Sequence, residues 1–312
     1  MVDNKLPVNK LPVNNVIMNN EDLIGEVVRV RGETAQLIPL VLDSPHSGTL
    51  YPKDFGHQVP LEQLRWGEDT HVERLFEDVL DIGGVMVDAL FPRTYIDPNR
   101  ARTDLDVEHL SIDGADKLPF ELKPSVKSAR GIGLIWTRAP VLGGPMYPHP
   151  ISPAAVLHRL SRYYDPYHDK TRKTLDATHR RFGHFIHVNC HSMASRAGPL
   201  TANNEEPMRP DFVIGDRDGT TCAQSVTRWL EHILKREGYS VSVNDPYKGV
   251  ELVRAYSDPK LGRHSLQLEV NRALYMNEKT REPIARFSDI QRLLGRVMSG
   301  LLEWDAPRRK AF

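Results

Sequence analysis

The chain has only two cysteines, Cys190 and Cys222, among its 312 residues. That excludes a disulfide framework and a cysteine-based zinc module, and it fits a reducing cytoplasm. It has no excess of charge either, since 41 basic and 41 acidic side chains give a net charge of zero. Such a chain carries no field to draw it to nucleic acid or to an anionic membrane, so neither is expected as a partner. No apolar run approaches the ~18 residues of a membrane helix, so none is expected. The opening MVDNKLPVNKLPVNNVIMNNEDL lacks the continuous apolar stretch and cleavage pattern of a secretory signal. Against these absences stand a 40% hydrophobic content, ample for a core, and 13 histidines, the unusual item.

KLPVN occurs at 5–9 and again at 10–14. Two copies make no solenoid, and residues 1–30 read as an N-terminal extension. No linker or charge block interrupts residues 31–312, which read as one domain. Within it, strand-like and helical segments alternate. Residues 38–42 (IPLVL), 85–90 (VMVDAL), 184–188 (HFIHV), 212–215 (FVIG), 239–243 (YSVSV) and 264–271 (HSLQLEVN) read as strands. Val72, Leu75, Phe76, Val79 and Leu80 mark one face of a helix over 69–80. Ser152-Pro153 opens a long helical stretch that Pro166 breaks or kinks and Gly183 stops. A helix with Val226, Trp229, Leu230, Ile233 and Leu234 follows FVIG, and Ser288 is the expected N-cap of the last helix. The pattern predicts an α/β sandwich with a largely parallel central sheet.

Sites in open α/β sheets form at the carboxyl ends of strands. Three polar clusters fall there: SPHSG at 44–48, GEDTH at 67–71 and NCHSMAS at 189–195. His46 and His191 each follow a buried strand by about three to four residues, with an acidic helix start between them. A lone histidine after a strand is more often a loop or capping residue. Two of them with a carboxylate form a donor set for catalytic zinc, with Mn, Fe or Co as other occupants.

In HSLQLEVN, Leu266, Leu268 and Val270 share one face, and Ser265, Gln267, Glu269 and Asn271 share the other. A mid-strand glutamate is costly to bury unpaired. Either it forms a salt bridge, with Arg272 or Arg254, or it serves as a general base toward a metal-activated water. In DPNRARTD at 97–104, an extended backbone would project Arg100 and Arg102 to one side with Asn99 beside them. That pair is either a solvated loop or a clamp for carboxylates. Cys190 and His191 point oppositely on an extended chain, which argues against a cysteine nucleophile. The GIG at 131–133 lacks the third glycine of a nucleotide-binding loop.

Taken together, SPHSG at 44–48, EDTHVERLF at 68–76, DPNR at 97–100, GLIWTRAPVLGGPMYPHPIS at 133–152, HVNCHSMAS at 187–195, DFVIGDRDGT at 211–220 and HSLQLEVNRALYM at 264–276 resemble the N-formylglutamate amidohydrolase (deformylase) family. The resemblance runs over roughly residues 38–300. It implies a zinc-carboxypeptidase-like fold, a three-layer α/β/α sandwich with a mixed, mostly parallel central sheet. It also implies metal-dependent hydrolysis of an N-acyl amino acid, in the named case N-formyl-L-glutamate to formate and glutamate in histidine breakdown. Residue by residue, it implies His46 and His191 as metal ligands and Asp69 as the acidic ligand, with Glu68 as its competitor. Glu269 becomes the catalytic glutamate, and Asn99 and Arg100 bind the substrate carboxylate. Arg102 is added from the strand geometry alone. One position departs from the family: Asn189 stands where an aspartate is usual, which bears on how the neighbouring group is held. A deacylase, carbamoylase or carboxypeptidase-like hydrolase for another small acid shares the same chemistry. A non-catalytic ligand-binding protein of the same fold is the rival from another class, and it would lack a ligand or the base.

Overall fold

The computed structural model describes residues 26–111, 118–196 and 207–309, so the KLPVN repeat lies outside the described residues. Seven strands form one mixed sheet: β1 (Val28–Arg31), β2 (Leu40–Ser44), β3 (Val85–Ala89), β4 (Phe185–Met193), β5 (Phe212–Gly215), β6 (Val241–Val243) and β7 (Arg263–Asn271). Their spatial order is β1-β3-β2-β4-β7-β5-β6. The pairs β2–β3, β2–β4, β4–β7 and β5–β6 are parallel, while β1–β3 and β5–β7 are antiparallel. The helices are α1 (Leu61–Leu64), α2 (Val72–Leu75), α3 (Val126–Ala129), α4 (Pro153–Arg159), α5 (Asp165–Phe182), α6 (Gln224–Arg236), α7 (Glu251–Tyr256) and α8 (Phe287–Arg309).

Two layers of helix cover the sheet, giving the expected sandwich. Leu40 and Leu42 of β2, Ile186, Val188 and Cys190 of β4, and Leu266, Leu268 and Val270 of β7 enter one core. Val72 and Leu75 of α2, Val226, Leu230 and Leu234 of α6, and Ile290 to Leu301 of α8 close it. Behind the other face stand α4, α5 and α7, with Tyr163, Tyr164, Tyr167 and Leu252 in a second cluster. Among the described residues no helix is long and apolar enough to cross a membrane.

Several expected boundaries move. β1 straddles the division at residue 30 and pairs with β3. The helix over 69–80 is broken: His71 adopts φ 68°, α2 ends at Leu75, and a 3-10 turn follows at Glu77–Val79. Its apolar residues still meet the core, because burial needs only the face and not an unbroken helix. Ser152 caps α4 through Ala155 N as expected. Pro166 does not break the helix. A π-helical turn at Leu160–Tyr164 precedes α5, so Pro166 falls in a first turn, where its missing N–H costs little. The last helix begins at Phe287, which puts Ser288 inside it rather than at its cap.

Candidate active site

The site begins with alternation along three adjacent parallel strands. Opposite the apolar core, β2, β4 and β7 carry Asp43, His187, Asn189, His191, Ser265, Gln267 and Glu269, all buried. Register sets them in rows: Asp43 beside Asn189, Asn189 beside Gln267, and His191 beside Glu269. Buried polar groups need partners, and here they find one another. Asp43 accepts from Tyr167 Oη at 2.7 Å, from His187 Nε2 at 3.0 Å and from Asn189 Nδ2 at 2.8 Å. His187 Nδ1 lies 2.8 Å from Ser265 Oγ.

His46 sits in the turn that leaves β2. Gly48 closes that turn against the chain after β3, where a Cβ would meet the Leu90 carbonyl carbon at 2.4 Å. Only glycine allows that approach. Asp69 N donates to His46 O at 3.0 Å, which draws the second loop onto the first. His191 lies inside β4, not in a loop past it, because the strand runs on to Met193.

These elements bring His46, Asp69 and His191 together, with one ligand atom from each within 4.8 Å of the others. Asp69 Oδ2 lies 3.3 Å from His46 Nδ1 and 3.0 Å from His191 Nδ1. Two ligands on a tetrahedral zinc stand about 3.3 Å apart, so this donor set fits a divalent ion. The far nitrogens are held as well: His46 Nε2 is 2.7 Å from Asp97 Oδ1, and His191 Nε2 is 2.7 Å from Asn189 Oδ1. A proton kept on Nε2 would free the Nδ1 lone pair for an ion, whereas here each Nδ1 lies within hydrogen-bond distance of Asp69. Asn189 is thus a neutral acceptor whose amide is oriented by Asp43. The other oxygen of Asp69 accepts from Arg272 Nη2 at 3.0 Å. Burial would raise the Asp69 pKa. Hydrogen bonds from both histidines and the charges of His46 and Arg93 instead hold it well below the usual carboxylate range. Asp97 is likewise desolvated, yet held well below that range, chiefly by Arg93 and His46. Glu68, the competitor of Asp69, turns away to accept from Tyr51 Oη at 2.7 Å and Arg65 Nε at 3.2 Å.

Glu269 is 7% exposed. Among the described residues it has no ion pair, and Gln267 Nε2 donates to its Oε1 at 2.8 Å. Neither expected salt bridge forms: Arg272 binds Asp69, and Arg254 pairs with Glu251. Burial raises the Glu269 pKa, and the charge of His191 offsets only part of that. Gln267 Oε1 is buried without a hydrogen-bond partner among the described residues. Both side chains line a cavity of about 230 Å³, together with His46, Asp69, His191, Arg93, Asn99, Arg100, Lys127, Trp136 and Tyr247.

The DPNR segment is a turn, not an extended strand. Asp97 Oδ1 accepts from Asn99 N at 2.9 Å, and Asp97 O accepts from Arg100 N at 3.2 Å. Asn99 reaches both ways, donating from Nδ2 to Asn189 Oδ1 at 3.3 Å and accepting from Leu252 N at 3.0 Å. Arg100 is buried, with Nε on Ile132 O at 3.2 Å and Nη1 on Asn99 O at 3.0 Å. The turn carries Arg102 away from the cavity. It pairs with Asp165, lies over Phe120 and is 41% exposed. The expectation that Arg102 joins Arg100 therefore fails, because it assumed an extended backbone.

The sequence reading gave no role to Asp97, Arg93, Gln267 or Lys127, and considered Arg272 only as a partner for Glu269. Gln267 was legible as a neighbour of Glu269 on one strand face. Arg93 was not, since its place depends on Asp97, to which Nη2 donates at 2.9 Å, and on Trp136, whose ring centroid is 5.0 Å away.

The profile of the N-formylglutamate amidohydrolase family matches residues 38–276. The chain is 28% identical to an N-formylglutamate deformylase of Pseudomonas putida, over 87% of this chain and 95% of that one. It is 26% identical to an N-formylglutamate deformylase of Pseudomonas aeruginosa, over 85% and 92% of the two chains. Among solved structures it resembles an N-formylglutamate amidohydrolase from Ralstonia eutropha JMP134. The TM-score is 0.81 and the identity 41%, covering 89% of this chain and 97% of that one. An Agrobacterium tumefaciens protein, Atu2144, shares the fold at a TM-score of 0.61 and 17% identity, covering 91% and 98% of the two chains. With a family match spanning both loops and all three strands that build the cavity, the chain belongs to the N-formylglutamate amidohydrolase family.

Proposed function

We propose that the protein is a metal-dependent hydrolase that cleaves N-formyl-L-glutamate, or a similar N-acyl amino acid, to formate and the free amino acid. One observation carries this reading: Glu269, buried and without a cation, faces the same cavity as the His46–Asp69–His191 cluster. A carboxylate kept unpaired in such a place is poised for proton transfer rather than for structure.

His46, Asp69 and His191 would hold a zinc ion, or Mn, Fe or Co in its place. Such an ion supplies Lewis acidity, which lowers the pKa of water and polarises a carbonyl. The rest belongs to the chain. Glu269 takes a proton from the attacking water and returns it to the departing nitrogen. Its raised pKa brings it nearer the range in which one group can do both. Gln267 holds one oxygen of Glu269. Arg93, held in place by Asp97, lines the cavity and is assigned here to the developing oxyanion. Arg100, with no hydrogen bond on Nη2 among the described residues, offers that edge to a substrate carboxylate. The two buried free cysteines suit a reducing cytoplasm.

The test is formate release from N-formyl-L-glutamate by zinc-loaded protein, with a chelated sample beside it. Release that stops on chelation and returns with added zinc is expected. Release unaffected by chelation would remove the metal from the reading, and no release would remove the substrate.

A further inference from the structure

Of the three Lys and Arg side chains that line the cavity, one is committed to a carboxylate and two are not: Arg93 binds Asp97 at 2.9 Å. Arg100 and Lys127 line the same cavity, and neither has an ion pair among the described residues. The two are mechanically linked through Ile132. Its N–H donates to Lys127 O at 3.0 Å, and its carbonyl accepts from Arg100 Nε at 3.2 Å. Lys127 N is in turn capped by Ser125 Oγ at 3.0 Å, and Ser125 is fixed on Asp104. The main chain of Lys127 is therefore anchored, while its exposed side chain lines the cavity and has no ion pair among the described residues. Burial and the like charges of Arg100, Arg130 and Arg93 all lower its pKa. An arrangement of crowded cations relaxes when an anion enters. One carboxylate answers Arg100, and the second cation calls for a second carboxylate.

We propose that Lys127 binds the side-chain carboxylate of a dicarboxylic N-acyl amino acid whose α-carboxylate is held by Arg100, and so sets the preference for acidic over neutral side chains. This assignment rests on the hydrolase reading above. Lys127 takes the place expected of Arg102. It comes from a separate helical turn, α3, whose cap Ser125 is tied to Asp104, after the DPNR turn.

The decisive experiment compares wild type with Lys127→Met, which keeps the apolar stem and removes the charge. The substrates are N-formyl-L-glutamate and its uncharged isostere N-formyl-L-glutamine. The variant is expected to lose ~10–100-fold in kcat/KM on the glutamate compound, mainly through KM, as for loss of a charged hydrogen bond. Its kcat/KM on the glutamine compound should stay within about twofold, and Lys127→Arg should restore most of the glutamate preference. Equal losses on both substrates, or an unchanged preference, would overturn the assignment. If wild type cleaves neither compound, the hydrolase reading fails separately. Calorimetric titration of L-glutamate and L-glutamine then decides for Lys127. Glutamate binding weakened only in Lys127→Met supports it, and unchanged glutamate binding overturns it.

Discussion

On β7, Leu266, Leu268 and Val270 enter an apolar core, while Ser265, Gln267 and Glu269 face the opposite way into a polar layer. β4 does the same with Val188 and Cys190 against His187, Asn189 and His191. Both faces are buried, yet they are held by different physics. The apolar face is stabilised by area removed from water, which is non-directional and tolerant of the partner's identity. The polar face depends on hydrogen bonds of fixed direction, and each orphaned group there costs free energy. A parallel sheet covered on both sides would ordinarily be apolar on both. The difference marks the face that carries the candidate site.

The largest expected break falls on the polar face. Glu269→Gln should lower kcat by ~10²–10⁴-fold while metal content, read by atomic spectroscopy, stays unchanged. Retained turnover would end its role as base. On the apolar face, one position away, Leu268→Ala should cost about 2–5 kcal/mol in denaturant unfolding, yet leave the metal affinity of the folded protein intact. A change in metal affinity there would blur the division between the faces. Asp43→Asn should weaken metal binding by ~10–100-fold, because Asp43 orients Asn189 and Asn189 orients His191. Unaltered affinity would show that His191 needs no such support.

A smaller effect lies where the apolar side has its own polar exception. Burial raises the Glu73 pKa to about 7 from 4.5, and its Oε2 has no partner. The folded state thus favours the protonated acid. Its contribution to stability is present below about 4.5 and is lost as pH rises through about 7. Glu73→Gln should therefore gain roughly 1–3 kcal/mol over wild type between pH 5 and pH 8, read from urea midpoints at both. A pH-independent difference would contradict it. The smallest effect belongs to Arg102→Ala, which should leave KM within about twofold, since a surface ion pair is worth little. A large rise in KM would return Arg102 to the site.

Legibility followed the range of the interactions. The alternation on β7 is local, and it told the faces apart before any coordinates. The turn that follows β2 and carries His46 is local as well. Arg102 failed because its direction hangs on one contact, Asn99 N to Asp97 Oδ1, which turns a segment that composition alone leaves open. The helix over 69–80 failed in its continuity for a similar reason: His71 at positive φ interrupts it, and no propensity rule marks that residue.

By itself the sequence determined the α/β architecture, the apolar face of each strand and the pairing of two histidines with a carboxylate, because periodicity and turn chemistry act over a few residues. Only the tertiary structure decided that Asp69 rather than Glu68 joins them, that Asp97 and Asn189 hold their far nitrogens, and that Lys127 replaces Arg102 at the cavity. Those choices depend on which side chains from distant segments meet, and strand register and loop closure set that meeting.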